Sequence, residues 1–318
     1  MPIAPFVPDE LTREPFRGSH AVRAGLLSRT NLESRAWTRL FRDVYVHRGV
    51  ELTSDVRVAA ARLAAGEQVL AGRTAAYVHG LWSPPPNQLV PIELARPRPE
   101  SGTGLDGARR SRRVWPVDDD DVVEVDGIAV TSTLRTAFDL VRVRQLVEGV
   151  VVVDAFAHGG AFSVEEFAAY AARHVRWPGV RRARLAAAHA DARAQSPGET
   201  RTRMVAVLSG FPRPKLQVEI VVPGGVRFLD LLLVGVPRRV GIEFDGGMHL
   251  EEARRRGDLR RENAIYVETG TPLLRYDSYS VDFERHLMAR EMARASGFTG
   301  LRALRDRDFA RGPRAQRW

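Results

Sequence analysis

The stretch from Phe228 to His249, FLDLLLVGVPRRVGIEFDGGMH, constrains the fold of this chain more than any other part of it. Two runs of alternating side chains flank Val236 and Pro237, the pattern of two β-strands joined as a hairpin. With the turn centred on that dipeptide, Asp230 falls directly opposite Glu243. Alternation puts Asp230 on the face of Phe228 and Leu232, and Glu243 on the face of Asp245. Charged residues rarely sit inside apolar strands unless something pairs with them. Opposed like charges destabilise a sheet, so the pair points to a divalent cation or to a raised pKa on one member.

Any such cation must be held by oxygen or imidazole. The 318 residues include no cysteine, which excludes disulfides, thiolate zinc sites and cysteine nucleophiles. A hydrophobic content of 44% with 27% charged residues is that of a soluble protein with a real core, divided among two or three domains. The net charge of +9 favours a polyanionic partner such as nucleic acid. All but one of the 48 basic residues are arginine, Lys215 being the sole lysine; genome base composition can produce that skew. Arginine nevertheless suits phosphate, because its planar fork bonds two oxygens together. The amino terminus lacks a basic segment followed by an apolar core. No apolar run approaches the ~20 residues needed to span a bilayer, so a cytoplasmic protein with no membrane partner is expected.

The order of elements predicts a multi-domain α/β protein with three regions. In residues 1–52, helices are expected over 19–26 and from 28 onward, N-capped by Ser19 and Ser28, followed by a β-hairpin over 37–46. Two short helices and a basic hairpin make the layout of a winged helix-turn-helix, with Arg29, Arg35, Arg39 and Arg42 facing phosphate. The alternative is a helical protein-interaction module with a solvated basic face. Residues 53–194 read as a mixed α/β connector: helices over 54–65 and 73–79, strands over 89–94 and 122–130, a loop over 96–113, then helices over 134–192. The acidic run from Asp118 to Asp121 reads as a solvated turn, and His79 as the end of a packed helix. In residues 195–318, Ser196 caps a helix with Pro197 at its first position, running through Leu208 to a stop at Gly210. Strands are expected over 216–222, 226–234 and 239–245, then a charged helix over 250–268 and a strand over 272–276.

With those residues in view, the segment 196–276 resembles the PD-(D/E)xK nuclease superfamily, and within it bacterial domains related to very-short-patch repair endonucleases. The likeness rests on Asp230 at the end of an early strand, the IE-x-DG-xx-H segment from Ile242 to His249, Asp258 with Arg261, and the Leu273 to Arg275 strand. It implies a restriction-endonuclease-like αβββαβ core and hydrolysis of DNA phosphodiester bonds with Mg2+ or Mn2+. Asp230 would be the central metal ligand, joined by Glu243 or the backbone carbonyl beside it, since hard oxygens with open water positions suit magnesium. The cation would polarise the scissile phosphate. His249 is the candidate general acid/base, with a hydrogen-bonded core histidine as the alternative. Asp245 holds the position usually given to the superfamily lysine, where very-short-patch enzymes have a histidine. Glu199 corresponds to the helix carboxylate that orients the attacking water, but Ser196-x-x-Glu199 is equally a capping box. Arg261 and Arg275 are candidate phosphate contacts, although a salt bridge from Arg261 to Asp258 is the simpler account of the former. Leu229 stands where the superfamily has proline, and the motif lysine is missing.

The amino-terminal HAVRAGLLSRTNLES, followed by WTRLFRDVYVHRG and RTAAYVHGL, resembles the winged-helix domains of type IV (AbiEi-like) antitoxins, with Asp43 where such domains have glycine. That likeness implies DNA binding and a cognate toxin as partner. Two functions follow as expectations. One is a metal-dependent DNA endonuclease targeted by its winged helix, in defence or repair; the other is a DNA-binding regulator or antitoxin whose nuclease fold is inactive. An RNA-processing nuclease is a third possibility, without the stacking-platform motifs of sequence-specific RNA readers.

Overall fold

The computed structural model describes residues 6–95, 109–110, 117–222, 225–246, 266–267 and 269–309. The chain divides into two compact units, Met1–Leu140 and Val141–Trp318, where the sequence suggested three regions. Both are mixed α/β. The expected winged helix and the first half of the connector fall together in the first unit. The later connector helices belong with the C-terminal sheet.

The first unit begins with β1 (Phe16–Arg17), α1 (Gly18–Arg23), α2 (Arg29–Leu32), β2 (Trp37–Phe41) and β3 (Val44–His47), the strands forming a sheet of order β1-β3-β2. Leu11, Ala21, Leu27, Ala36 and Trp37 make its core, with Phe16 and Tyr45 packed against them. Ser28 caps α2 through a reciprocal box with Asn31, as the sequence predicts for Ser28. Ser19 does not cap α1. That helix starts one residue earlier, and its cap comes from the hairpin turn: Asp43, at φ 61°, accepts from the Ser19 N–H at 2.8 Å and from its hydroxyl at 2.6 Å. Asp43 therefore supplies the left-handed turn that glycine would, and adds a tertiary cap.

The rest of this unit holds α3 (Ser54–Ala65), β4 (Val69–Leu70), α4 (Gly72–Val78), β5 (Glu93–Ala95), β6 (Arg109–Arg110), β7 (Val122–Val125), β8 (Ile128–Thr131) and α5 (Thr133–Val141), which reaches the unit boundary. Its sheet has the order β6-β5-β4-β8-β7. Where one strand was expected over 122–130 there is a hairpin, turned by Asp126 and Gly127 at φ 48° and 71°, an Asp-Gly signal for two left-handed residues. The acidic run is not wholly solvated. Asp121 is buried and bonds the fully buried Arg135 at 2.7 Å, as Asp139 does from one turn along the helix. His79 caps α4 at its C-terminal end and lies 2.8 Å from the Thr131 carbonyl, in keeping with a packed helix end.

The second unit contains α6 (Leu146–His158), α7 (Val164–Arg173), α8 (Val180–His189) and α9 (Pro197–Leu208), then β9 (Lys215–Val222), β10 (Gly225–Leu233), β11 (Val240–Asp245), β12 (Leu273–Asp277), α10 (Ser278–Phe283) and α11 (Arg285–Ser296). Sheet order is β12-β11-β10-β9, antiparallel except for the parallel β11–β12 pair. The expected helix over 250–268 lies outside the described residues, apart from Tyr266 and Val267, which are helical. Helix α6 is buried on nearly every side and carries two acids that lock α9 to it. Glu148 takes both guanidinium arms of Arg201, at 2.7 and 2.9 Å. Asp154 accepts from the Thr200 hydroxyl at 2.7 Å and from the fully buried Arg203. Buried ion pairs contribute little net stability but are costly to break, so they fix the seat of α9, and with it Glu199, on the core.

Candidate functional site

The β10–β11 register pairs Leu231 with Ile242, Leu232 with Gly241 and Leu233 with Val240, which puts Asp230 across from Glu243 one step beyond the last pair. There the ladder stops. The Phe244 N–H, a donor that a continuing ladder would use, goes instead to Asp230 Oδ2 at 2.9 Å. Asp230 thus sits at the fork where two neighbouring strands part, with one carboxylate oxygen held by the sheet itself. On its other side, pairs Leu229–Val218 and Leu231–Leu216 put Gln217 opposite Asp230.

Glu199 reaches this fork from α9. Ser196 Oγ accepts from the Glu199 N–H at 3.1 Å, which is half of the expected capping box. The other half is changed: the Glu199 carboxylate bonds the Gln195 N–H at 3.0 Å, one residue before the cap, and the Gln217 side-chain amide at 2.9 Å. Both bonds end on Oε2. Glu199 is only 7% exposed. Burial, followed by the nearby negative charge of Asp230, pushes its carboxyl above the ordinary range, against the hydrogen bonds that favour the ionised form. The structure therefore brings Glu199 and Asp230 within electrostatic reach of each other.

Glu243 is otherwise engaged. Its carboxylate pairs with Arg275, its neighbour on β12, at 3.2 Å, so this arginine, expected as a phosphate contact, is bonded to a residue expected as a metal ligand. Phe244 packs on α9 at Gly198, and alternation turns Glu243 and Asp245 to the other face of β11. Asp245 is exposed at the strand end, beside Asp277 in register. Asp277 caps α10 by accepting from the Ser280 N–H at 2.8 Å, which holds its carboxyl below the ordinary range. His249, Asp258 and Arg261 lie outside the described residues. Among the described residues no group of three or more His, Asp or Glu is arranged to hold a metal. Glu199 and Asp230, within electrostatic reach of each other, are hard-oxygen donors of the kind that suits magnesium, an ion commonly bound by one or two carboxylates with water and phosphate completing the shell.

In the first unit Arg29 at the start of α2, Arg35 before β2, Arg39 on β2 and Arg42 in the hairpin turn are all exposed. Arg39 also donates to the Phe41 carbonyl at 3.3 Å, which holds its guanidinium along the hairpin. No helix among the described residues is long and apolar enough to cross a membrane.

Sequence reasoning missed Gln217. A polar residue at an outward position of an alternating strand reads as solvent-facing, and its left-handed backbone, φ 49°, has no signature in a glutamine side chain. Comparisons of the chain with protein-family models, with curated proteins and with solved structures find no match.

Proposed function

We propose that the protein is a metal-dependent DNA endonuclease whose C-terminal unit, with a restriction-endonuclease-like core, hydrolyses phosphodiester bonds and whose N-terminal winged helix-turn-helix targets it to DNA, in defence or repair. The observation that carries this reading is that a buried helix carboxylate, Glu199, is bonded by Gln217, the residue facing Asp230 across the β9–β10 ladder, and so lies within electrostatic reach of Asp230. A site that gathers acids against their mutual repulsion is built for a cation or for proton transfer. Asp230 and Glu199 would hold Mg2+ or Mn2+, which when bound supplies Lewis-acid polarisation of the scissile phosphate. Asp230 keeps its place through the Phe244 N–H, so its second oxygen is oriented before substrate arrives. Glu199, held on α9 by the Gln195 N–H and the Gln217 amide, would orient the attacking water. His249 completes the proposal as the general acid/base. Glu243 keeps Arg275 in place at the next strand, Asp245 lies at the exposed strand end, and Arg261 keeps its expected role as a phosphate contact.

The test is incubation of the full chain with supercoiled plasmid and Mg2+ or Mn2+. Nicking that is lost in Asp230→Ala and Glu199→Gln supports the assignment; nicking that survives in Asp230→Ala contradicts it. A second reading, a DNA-binding regulator or antitoxin with a cognate toxin as partner and no catalysis, is favoured by the Glu243–Arg275 ion pair, which occupies a carboxylate that the motif gives to the metal. Tight promoter binding without cleavage would favour it over the nuclease.

A further inference from the structure

Gln217 breaks a backbone rule inside a strand. Its φ of 49° lies in the left-handed region, where a non-glycine residue is strained, and it is the one described residue of β9 with a positive φ. The strand on either side is regular, with pairs on both flanks sharing a single register with β10. The positive φ therefore falls at the position facing Asp230, where β10 also slips in alternation, Leu229 and Leu232 packing in one cluster. Strict alternation would send Gln217 outward with Lys215 and Glu219, both exposed. Its amide instead donates to Glu199 Oε2 at 2.9 Å, on a carboxylate that is almost wholly buried. The Gln195 N–H shares that oxygen at 3.0 Å. The two donors thus converge on one oxygen of this carboxylate, one from the residue before the helix cap and one from the strand that faces Asp230.

We propose that Gln217 is a positioning residue: its left-handed backbone exists to carry the side-chain amide to Glu199 and hold that carboxylate beside Asp230. The proposal rests on the nuclease reading for its consequence, since Glu199 matters to catalysis only if the Asp230 fork is the active site. Its geometric part, the hold on Glu199, stands apart from that reading and has its own readout. Glycine adopts φ above zero without penalty, so Gln217→Gly relieves the backbone while it removes the amide. A positioning residue would lose its hold on Glu199 in that change even where stability is kept.

The experiment compares full-length wild type, Gln217→Gly and Gln217→Leu by amide hydrogen exchange at Gln195, by thermal unfolding, and by the Mn2+ concentration giving half-maximal plasmid nicking. The Gln195 N–H reports on Glu199 directly, because it bonds the same oxygen. In Gln217→Gly its exchange is expected to quicken about two- to tenfold, the loss of roughly one hydrogen bond, while the unfolding temperature holds or rises. Half-maximal nicking should need about two- to tenfold more Mn2+ on the same reasoning. Unchanged Gln195 exchange in Gln217→Gly would overturn the proposal. So would a fall in unfolding temperature as large in Gln217→Gly as in Gln217→Leu, since the role would then be structural. Faster exchange in a protein whose wild type does not nick DNA would uphold the hold on Glu199 and sink the nuclease reading instead.

Discussion

Replacing Gly198 by alanine should disturb the candidate site without touching any of its charged groups. Gly198 is the second residue of α9, and a Cβ built on it would lie 1.9 Å from the Phe244 ring, with two more ring atoms at 2.2 and 2.3 Å. Contacts that short cannot persist, so the ring or the helix must shift. Neither is at liberty to do so cheaply. The Phe244 N–H is bonded to Asp230, and α9 is tied to α6 through Glu148–Arg201 and Asp154–Arg203. Overpacking of this kind costs about 1–3 kcal/mol. Alanine is the better helix former by about 1 kcal/mol in a helix interior, and by less in the first turn, so the clash decides the sign. The net loss should be roughly 1–2 kcal/mol, or about 2–8 °C in unfolding temperature for a unit of this size. Thermal unfolding of Gly198→Ala checks this, and pairing it with Phe244→Leu tests the cause: the smaller side chain should recover most of the loss, giving coupling of about 1 kcal/mol or more in the double-mutant cycle. A Gly198→Ala protein as stable as wild type, or one whose loss simply adds to that of Phe244→Leu, would refute the packing argument.

Glu199→Gln should stabilise the protein at neutral pH. Because its native pKa is raised, the folded state favours the protonated carboxyl more than the unfolded chain does, and that contribution is present below the unfolded value and lost as pH rises through the folded one. The amide avoids this loss, so the gap in unfolding temperature between variant and wild type should open as pH rises from acid to neutral; a gap that instead closes would contradict the sign. Arg135→Met leaves Asp121 and Asp139 buried around a missing cation, and should cost about 3–5 kcal/mol by denaturant unfolding. A loss under about 1 kcal/mol would mean the pair is not buried as described. Asp43→Ala should destabilise more than Asp43→Gly, because both lose the Ser19 cap, worth about 0.5–2 kcal/mol, while glycine alone relieves the positive φ. Equal losses would show that the backbone conformation carries no strain. Removing Arg29 or Arg42 should weaken duplex binding uniformly across sequences and lower the salt slope by about 0.9 for each phosphate that is no longer neutralised, read by titration at several salt concentrations; an unchanged slope would take these residues off the DNA surface.

The hairpin at the heart of the C-terminal unit was legible because its two signals are local. Alternation fixed the strands, and the Val236–Pro237 centre fixed the register that puts Asp230 opposite Glu243. Ser28 and the Pro197 helix start were readable for the same reason. The Asp126–Gly127 turn carried an equally local signal that a continuous apolar reading of the strand obscured. Other features depend on partners far along the chain. Asp121 is buried because Arg135 lies fourteen positions on, and Ser19 lost its role as cap to Asp43 across the hairpin. The later connector helices join the second unit through Arg201 and Arg203, whose acidic partners lie on α6 about fifty residues away. At the site itself the sequence identified the acids but not their company. Glu243 went to Arg275, while Glu199 gained Asp230 as a neighbour and Gln217 as a donor, all through tertiary approach.

A crystal structure of the full chain grown with Mn2+, with anomalous scattering used to find the metal, tests the central claim most directly. The account predicts an anomalous peak bonded to carboxylate oxygens of Asp230 and Glu199, with the peak absent from Asp230→Asn crystals. Saturating Mn2+ that leaves both carboxylates bare, or that binds elsewhere and contacts neither, would contradict it.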